Sequence, residues 1–103
     1  MEFEVLHIDD CPNWEQAGER LREALTVTGF SEVPIRFRLL RTSQDATGTG
    51  FAGSPTITLD GTDLFPSGGS TDDLACRIYA TPSGLAGLPT VDQLIERIAA
   101  HER

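Results

Sequence analysis

Cys11 is the residue of this chain best placed to do chemistry, and it lies in the segment Asp-Asp-Cys-Pro-Asn-Trp at 9–14. The apolar run at 2–8 predicts a strand, and the pattern after it predicts a helix through Thr28 with Pro12 as its first residue. A thiol at a helix N-terminus faces unpaired backbone N–H groups and the positive end of the helix dipole, and both favour a thiolate. The two aspartates directly before Cys11 oppose it through like-charge repulsion when they lie close. The segment therefore predicts either a redox or metal-binding thiol or an unreactive cysteine.

Three other side chains are candidates for a functional role: His7 and Trp14, which lie close to Cys11 in sequence, and Cys76, which does not. His7 interrupts the first strand, and we interpret it as a histidine with a local hydrogen bond, with a base near Cys11 as the alternative. Trp14 is interpreted as a core residue or a lid over the cysteine, with ligand stacking as the alternative. Cys76 is interpreted as a small buried apolar residue. The two cysteines, together with His7 and His101, form no zinc pattern, so the sequence predicts no metal and no cofactor.

Length and charge limit the class of protein. The chain has 103 residues, which suits a single domain spanning 1–103. Its net charge of −8 argues against nucleic acid and anionic membranes as partners, because both attract positive charge. No segment is long and apolar enough to span a bilayer and no signal segment is visible, so we expect a cytoplasmic protein. Cysteines of cytoplasmic proteins are usually thiols, and both are expected to be free.

The rest of the sequence predicts alternating strands and helices. We expect strands at 34–41, 56–59 and 75–81, weak helical turns at 42–50, a loop at 60–74 and a final helix from Val91. Arginines alternating with apolar residues in the second strand indicate an edge position. Gly29 is the predicted C-terminal cap of the first helix, and Thr90 is the predicted N-cap of the last.

This order, strand-helix-strand-helix-strand-strand-helix, resembles the thioredoxin fold, an α/β fold whose four-stranded mixed sheet carries helices on both faces. Two motifs agree with the resemblance. Cys11-Pro12-Asn13-Trp14 lies where thioredoxins carry their active-site cysteine, and Gly-Ser-Pro-Thr at 53–56 resembles the segment whose proline is cis in that family. The chain is similar to small bacterial thioredoxin-like proteins with Cys-Pro-x-Trp in place of Cys-x-x-Cys. The strand order implied is second, first, third, fourth, with the third antiparallel to the first.

The resemblance implies a catalytic Cys11 with a substrate site formed by Pro12, Trp14, Ser54 and Pro55. Trp14 stands where thioredoxins carry the second cysteine, so exchange within a Cys-x-x-Cys ring is ruled out. We therefore interpret the chain as a monothiol redox or thiol-transfer protein that acts on protein or small-molecule thiols and disulfides. The sequence leaves open whether it is an enzyme. The alternatives are a non-catalytic thioredoxin-fold binding module and an organomercurial-lyase chemistry, which needs two convergent thiols and an acid.

The resemblance also predicts that Cys11 and Cys76 do not pair. In the thioredoxin arrangement the strand that carries Cys76 begins at the end of the sheet remote from Cys11. A five-residue strand spans roughly 17 Å, whereas the Cα atoms of a disulfide lie about 4.4–6.8 Å apart. Only Cys11 is expected to lie near the surface and to react readily.

Overall fold

A computed structural model describes residues 1–65, 71 and 73–101, and this part of the chain forms three helices and six strands. The predicted mixed α/β architecture with a four-stranded mixed sheet is therefore confirmed. In chain order the elements are β1 (Phe3–His7), α1 (Trp14–Val27), β2 (Ile35–Leu39), α2 (Ser43–Ala46), β3 (Thr56–Leu59), β4 (Thr62–Asp63), β5 (Tyr79–Thr81), β6 (Gly84–Ala86) and α3 (Val91–His101).

The sheet has the strand order β2-β1-β3-β4. β1 pairs in parallel with β2, from Phe3 opposite Ile35 to His7 opposite Leu39. On its other side β1 pairs antiparallel with β3, so that Phe3 lies opposite Leu59. β2 is an edge strand, in agreement with its arginines. Because β1 and β3 run in opposite directions, the end of β1 lies beside the start of β3.

The fourth strand of the sheet differs from the predicted one. β4 lies inside the predicted 60–74 loop and pairs with β3. The turn between them is made by Asp60 and Gly61, with φ of 52° and 84°, the conformation that an Asp-Gly hairpin turn requires. The predicted strand at 75–81 supplies only β5, which pairs with β6 in a separate hairpin. Residues 66–70 and 72 of the predicted loop lie outside the described residues.

Two apolar clusters hold the elements together, and β1 contributes to both. Phe3 and Val5 belong to a cluster that includes side chains of α1, α3 and β3. Leu6 belongs to a second cluster, which also takes Ala46 of α2. Neighbouring side chains of a strand point to opposite faces, so the change of cluster between Val5 and Leu6 follows from the strand itself. The second cluster consists of Leu6, Ile8, Cys11, Leu40, Ala46 and Phe51, with Leu74 packed against it.

The ends of the long helices follow ordinary capping chemistry. α1 begins at Trp14, so Pro12 precedes the helix and is not its first residue; Asn13 takes the N-cap position with no side-chain cap bond. At its other end Gly29 has φ 91°, and the next N–H, of Phe30, donates to Leu25 at 2.7 Å, as in a Schellman motif. Thr90 caps α3 as predicted, because its Oγ1 accepts the N–H of Gln93 at 3.1 Å.

The segment that carries Cys76 returns beside the start of β3. The N–H of Ser54 donates to Ala75 and the N–H of Arg77 donates to Ser54, both at 2.8 Å, and the two bonds form a parallel bridge between Ser54 and Cys76. Gly53 permits this approach, since a Cβ at that position would lie 2.7 Å from the Arg77 Cβ. Cys76 is therefore placed at the end of the sheet where β1 ends.

Gly53→Ala should destabilise the fold by about 2–3 kcal/mol, because it combines overpacking with a positive φ of 111°. Gly29→Ala is the matched control. Gly29 also has a positive φ, 91°, but no atom lies within 4 Å of a Cβ built there, so we expect a loss of about 1 kcal/mol. Urea unfolding of both variants measures the difference. Equal losses would contradict the close contact between Gly53 and Arg77.

Candidate functional site

Cys11 and Cys76 are joined by a disulfide, with their Cα atoms 6.0 Å apart. The prediction that they do not pair is therefore wrong, as is the expectation of two free thiols. The error has a structural reason: Cys76 does not begin a strand at the far end of the sheet but lies against Ser54, where β3 starts. Cys11 follows β1, which ends beside that point. This return of the chain brings together two cysteines that are 65 positions apart in sequence.

The two halves of the disulfide differ in exposure. Cys11 is only 1% exposed and is part of the second apolar cluster, packed with Leu6, Ile8 and Phe51. Cys76 is exposed to solvent. Both expectations about their surroundings are therefore wrong, since Cys11 was placed near the surface and Cys76 in the core. Cys76 is therefore the half of the disulfide that is exposed to solvent.

Ser54 and Pro55, two of the predicted substrate-binding residues, lie beside the disulfide but are buried. The Ser54 Oγ accepts the N–H of Ile8 at 3.0 Å, so it ties the end of β1 to the start of β3. The carbonyl of Pro55 accepts a hydrogen bond from the Tyr79 hydroxyl. The Ser54–Pro55 peptide bond, which the sequence predicts to be cis, is cis in the structure. Pro12, a third predicted site residue, is exposed next to Cys11.

Arg77, directly after Cys76, anchors the segment through a buried network that sequence reasoning missed. Its Nη1 donates to Asp63 Oδ2 at 2.9 Å and its Nη2 donates to the carbonyl of Phe65. Its guanidinium lies 4.4 Å from the centre of the Tyr79 ring. Burial raises the pKa of Asp63, and the hydrogen bond from Phe65 and the charge of Arg77 oppose that rise. An arginine alternating with apolar residues gave no signal that its charge would be paired inside the fold.

His7 and Trp14 form a stacked pair on the other side of β1 from Cys11. Their ring centres are 4.6 Å apart and the ring planes are nearly parallel. The ring centres of Trp14 and Phe37 are 5.7 Å apart, and these two rings pack edge to face. Trp14 packs against the first apolar cluster, whereas Cys11 belongs to the second. The lid over the cysteine is therefore not formed by Trp14. The buried Nδ1 of His7 has no hydrogen-bond partner among the described residues, and burial lowers the pKa of the imidazole, an effect that the neighbouring backbone of Ile8 partly offsets.

Trp14 also lines an open groove of about 500 Å³ between α1 and β2. Gly18 forms part of its wall and lets the Phe37 ring pack against the helix, because a Cβ at Gly18 would lie 2.5 Å from that ring. Phe37 is 48% exposed. The groove is lined by Trp14, Glu15, Gly18, Glu19, Arg22, Ile35 and Phe37.

The chemistry of the described residues also bears on other kinds of site: they hold two cysteines, which are paired with each other. They contain no group of three or more histidine, cysteine, aspartate or glutamate side chains that could hold a metal ion. None of the helices formed by these residues has the length and apolar character needed to cross a membrane. Compared with known proteins, the chain matches no protein family, no curated protein and no solved structure.

The buried His7 predicts a pH dependence of stability. Burial lowers the pKa of His7 from its ordinary 6.5, and the charge of Asp9 offsets part of this effect. Below pH 6.5 the unfolded chain therefore binds a proton that the folded chain does not yet bind, so stability falls as the pH drops towards the folded pKa. The slope cannot exceed about 1.4 kcal/mol per pH unit. Above pH 6.5 this contribution is constant.

His7→Phe retains a ring against Trp14 and removes the titration, so its stability should fall less than that of the unaltered protein between pH 7.5 and pH 5. Urea unfolding at both pH values measures the difference. His101→Gln, at an exposed histidine, is the control and should behave like the unaltered protein. The same pH dependence in all three proteins would contradict the effect of burial on His7.

Proposed function

We propose that this chain is a thioredoxin-like thiol–disulfide redox protein whose exchangeable pair is Cys11 and Cys76. The observation that carries the proposal is a disulfide between a buried cysteine before α1 and an exposed cysteine beside Ser54. The order of β2, β1 and β3 and the resemblance of segment 53–56 to the thioredoxin segment support it. The monothiol interpretation is replaced, because a second sulfur is present outside the Cys-x-x-Cys position.

Reduction begins at the exposed sulfur. An external thiolate attacks the Cys76 Sγ, a new sulfur–sulfur bond forms, and the Cys11–Cys76 bond breaks. Cys11 leaves with the bonding electrons as a thiolate, which takes up a proton. A second external thiolate then attacks the sulfur of the first in the mixed disulfide, and Cys76 leaves as a thiolate that takes up a proton. The products are two cysteine thiols in the protein and one external disulfide.

In the opposite direction the protein reduces a substrate disulfide. The Cys76 thiolate attacks one substrate sulfur, and the other leaves as a thiolate that takes up a proton. Cys11 then attacks the Cys76 Sγ, releases the second substrate sulfur and forms the internal disulfide again. Two electrons pass from the protein to the substrate. In this scheme Cys76 makes the contact with substrate and Cys11 acts as the resolving nucleophile, with both cysteines catalytic.

The second candidate function is a non-catalytic binding module in which the disulfide has only a structural role. The groove between α1 and β2, with the half-exposed Phe37, favours it, since it offers an apolar surface away from the disulfide. Organomercurial-lyase chemistry stays a hypothesis: the two convergent sulfurs that it needs are present as the Cys11–Cys76 disulfide, but no hydrogen bond among the described residues places an acid against them.

Catalysed reduction of insulin by dithiothreitol tests the redox proposal. Dithiothreitol reduces the protein disulfide, the protein reduces insulin, and insulin precipitation is followed by turbidity. We expect the unaltered protein to accelerate the reaction about 10-fold or more over dithiothreitol alone, because a positioned thiol pair avoids a second bimolecular step. Cys11→Ser and Cys76→Ser should both lose the acceleration, since each removes one sulfur of the cycle.

Val27→Ser, at an exposed position on α1, is the control and should retain full activity. A protein whose disulfide opens in dithiothreitol but does not accelerate insulin reduction would favour the binding module. Full activity in Cys76→Ser would restore the monothiol interpretation and overturn the two-cysteine cycle.

A further inference from the structure

Cys76 lies at one end of an exposed apolar line of side chains. From Cys76 to Ala80 the chain alternates, so that Cys76, Ile78 and Ala80 are exposed while Arg77 and Tyr79 are buried. Side chains two positions apart on an extended segment share a face. Ile78 is 68% exposed, which is a large apolar surface to leave in water directly beside an exchangeable sulfur.

The β5–β6 hairpin extends this line. Leu85 lies directly opposite Ala80 in the antiparallel pair, so the two side chains are on the same face. Leu85 is 77% exposed. We name Cys76, Ile78, Ala80 and Leu85 the Cys76 stripe. From Cys76 to Ala80 it covers about 13 Å, the length of four residues of an extended peptide.

The charged side chains closest in sequence to the two cysteines are mostly acidic. Asp9 and Asp10 directly precede Cys11, Asp73 lies three positions before Cys76, and all three are exposed. The nearest cation in sequence, Arg77, is buried and paired with Asp63. The backbone N–H of Arg41, beyond the end of β2, donates to Asp45 Oδ2 at 3.0 Å, and this hydrogen bond, with a smaller effect from the Arg41 charge, lowers the pKa of that carboxyl. The chain as a whole carries a net charge of −8, so positively charged molecules are attracted to it.

We propose that the Cys76 stripe docks an extended protein segment that carries positive charge and a cysteine followed by apolar side chains, and that this cysteine exchanges with Cys76. The proposal rests on the redox function proposed above and names its substrate class. Ile78 and Leu85 supply the apolar contact next to the reacting sulfur. The exposed aspartates supply charge complementarity to basic residues and disfavour anionic thiols such as glutathione.

The test uses three acetylated and amidated tetrapeptides, Lys-Cys-Ile-Leu, Lys-Cys-Ser-Ser and Glu-Cys-Ile-Leu. Each is mixed with the oxidised protein, and the rate of disulfide opening per thiolate is measured by acid quenching and mass spectrometry. Lys-Cys-Ile-Leu should react about 10-fold faster than Glu-Cys-Ile-Leu at low salt, with the difference shrinking at high salt. It should also react about 10-fold faster than Lys-Cys-Ser-Ser, from the apolar contact.

Ile78→Ser and Leu85→Ser should each reduce the preference for Ile-Leu over Ser-Ser several-fold, whereas Ile78→Val should retain it. Val27→Ser makes a similar apolar-to-polar substitution at an exposed position at the end of α1, and it should leave every rate unchanged. Equal rates for the three peptides with the unaltered protein would overturn the proposal, and so would a preference that survives both serine substitutions. If dithiothreitol itself fails to open the disulfide, the redox function is what fails.

Discussion

The covalent bond between Cys11 and Cys76 is the constraint on which the rest of the site depends. It joins the junction of β1 and α1 to a segment that returns from a distant part of the chain, 65 positions later. Closing a loop of that length removes entropy from the unfolded chain that corresponds to about 4 kcal/mol. Apart from the bond, the segment beside Ser54 is held by two backbone hydrogen bonds and by the side chain of Arg77. Opening the disulfide therefore leaves an anchored segment and not a free one.

Arg77 shows how this anchoring leaves Cys76 accessible. A buried guanidinium is costly unless it is paired and hydrogen-bonded, and here Asp63 and the Phe65 carbonyl both accept from it. Because side chains of an extended segment alternate, fixing Arg77 inside the fold turns Cys76 and Ile78 outward. The same network thus buries the charge and leaves the residue Cys76 exposed. The residue that anchors this segment, Arg77, is thus the direct neighbour of the residue to which the exchange chemistry is assigned, Cys76.

The sequence predicted the parts of this structure that depend on local signals. The apolar run of β1, the helix after Cys11 and the Thr90 cap each follow from residues close together in the chain. The hairpin turn at 60–61 could also have been predicted, because Asp-Gly favours that turn. The polar composition around it led to the prediction of a loop. The partner of Cys11 could not be predicted in this way, because it depends on where the chain returns after residue 65. The assumption that cytoplasmic cysteines stay as thiols reinforced the error.

The reduction potential of the Cys11–Cys76 disulfide tests the central claim most directly. The protein is equilibrated in buffers of reduced and oxidised glutathione, quenched with acid, alkylated and quantified by mass. An exchangeable pair should titrate within the range of thiol–disulfide oxidoreductases, about −270 to −120 mV. A potential below about −300 mV, typical of structural disulfides, would contradict the redox account.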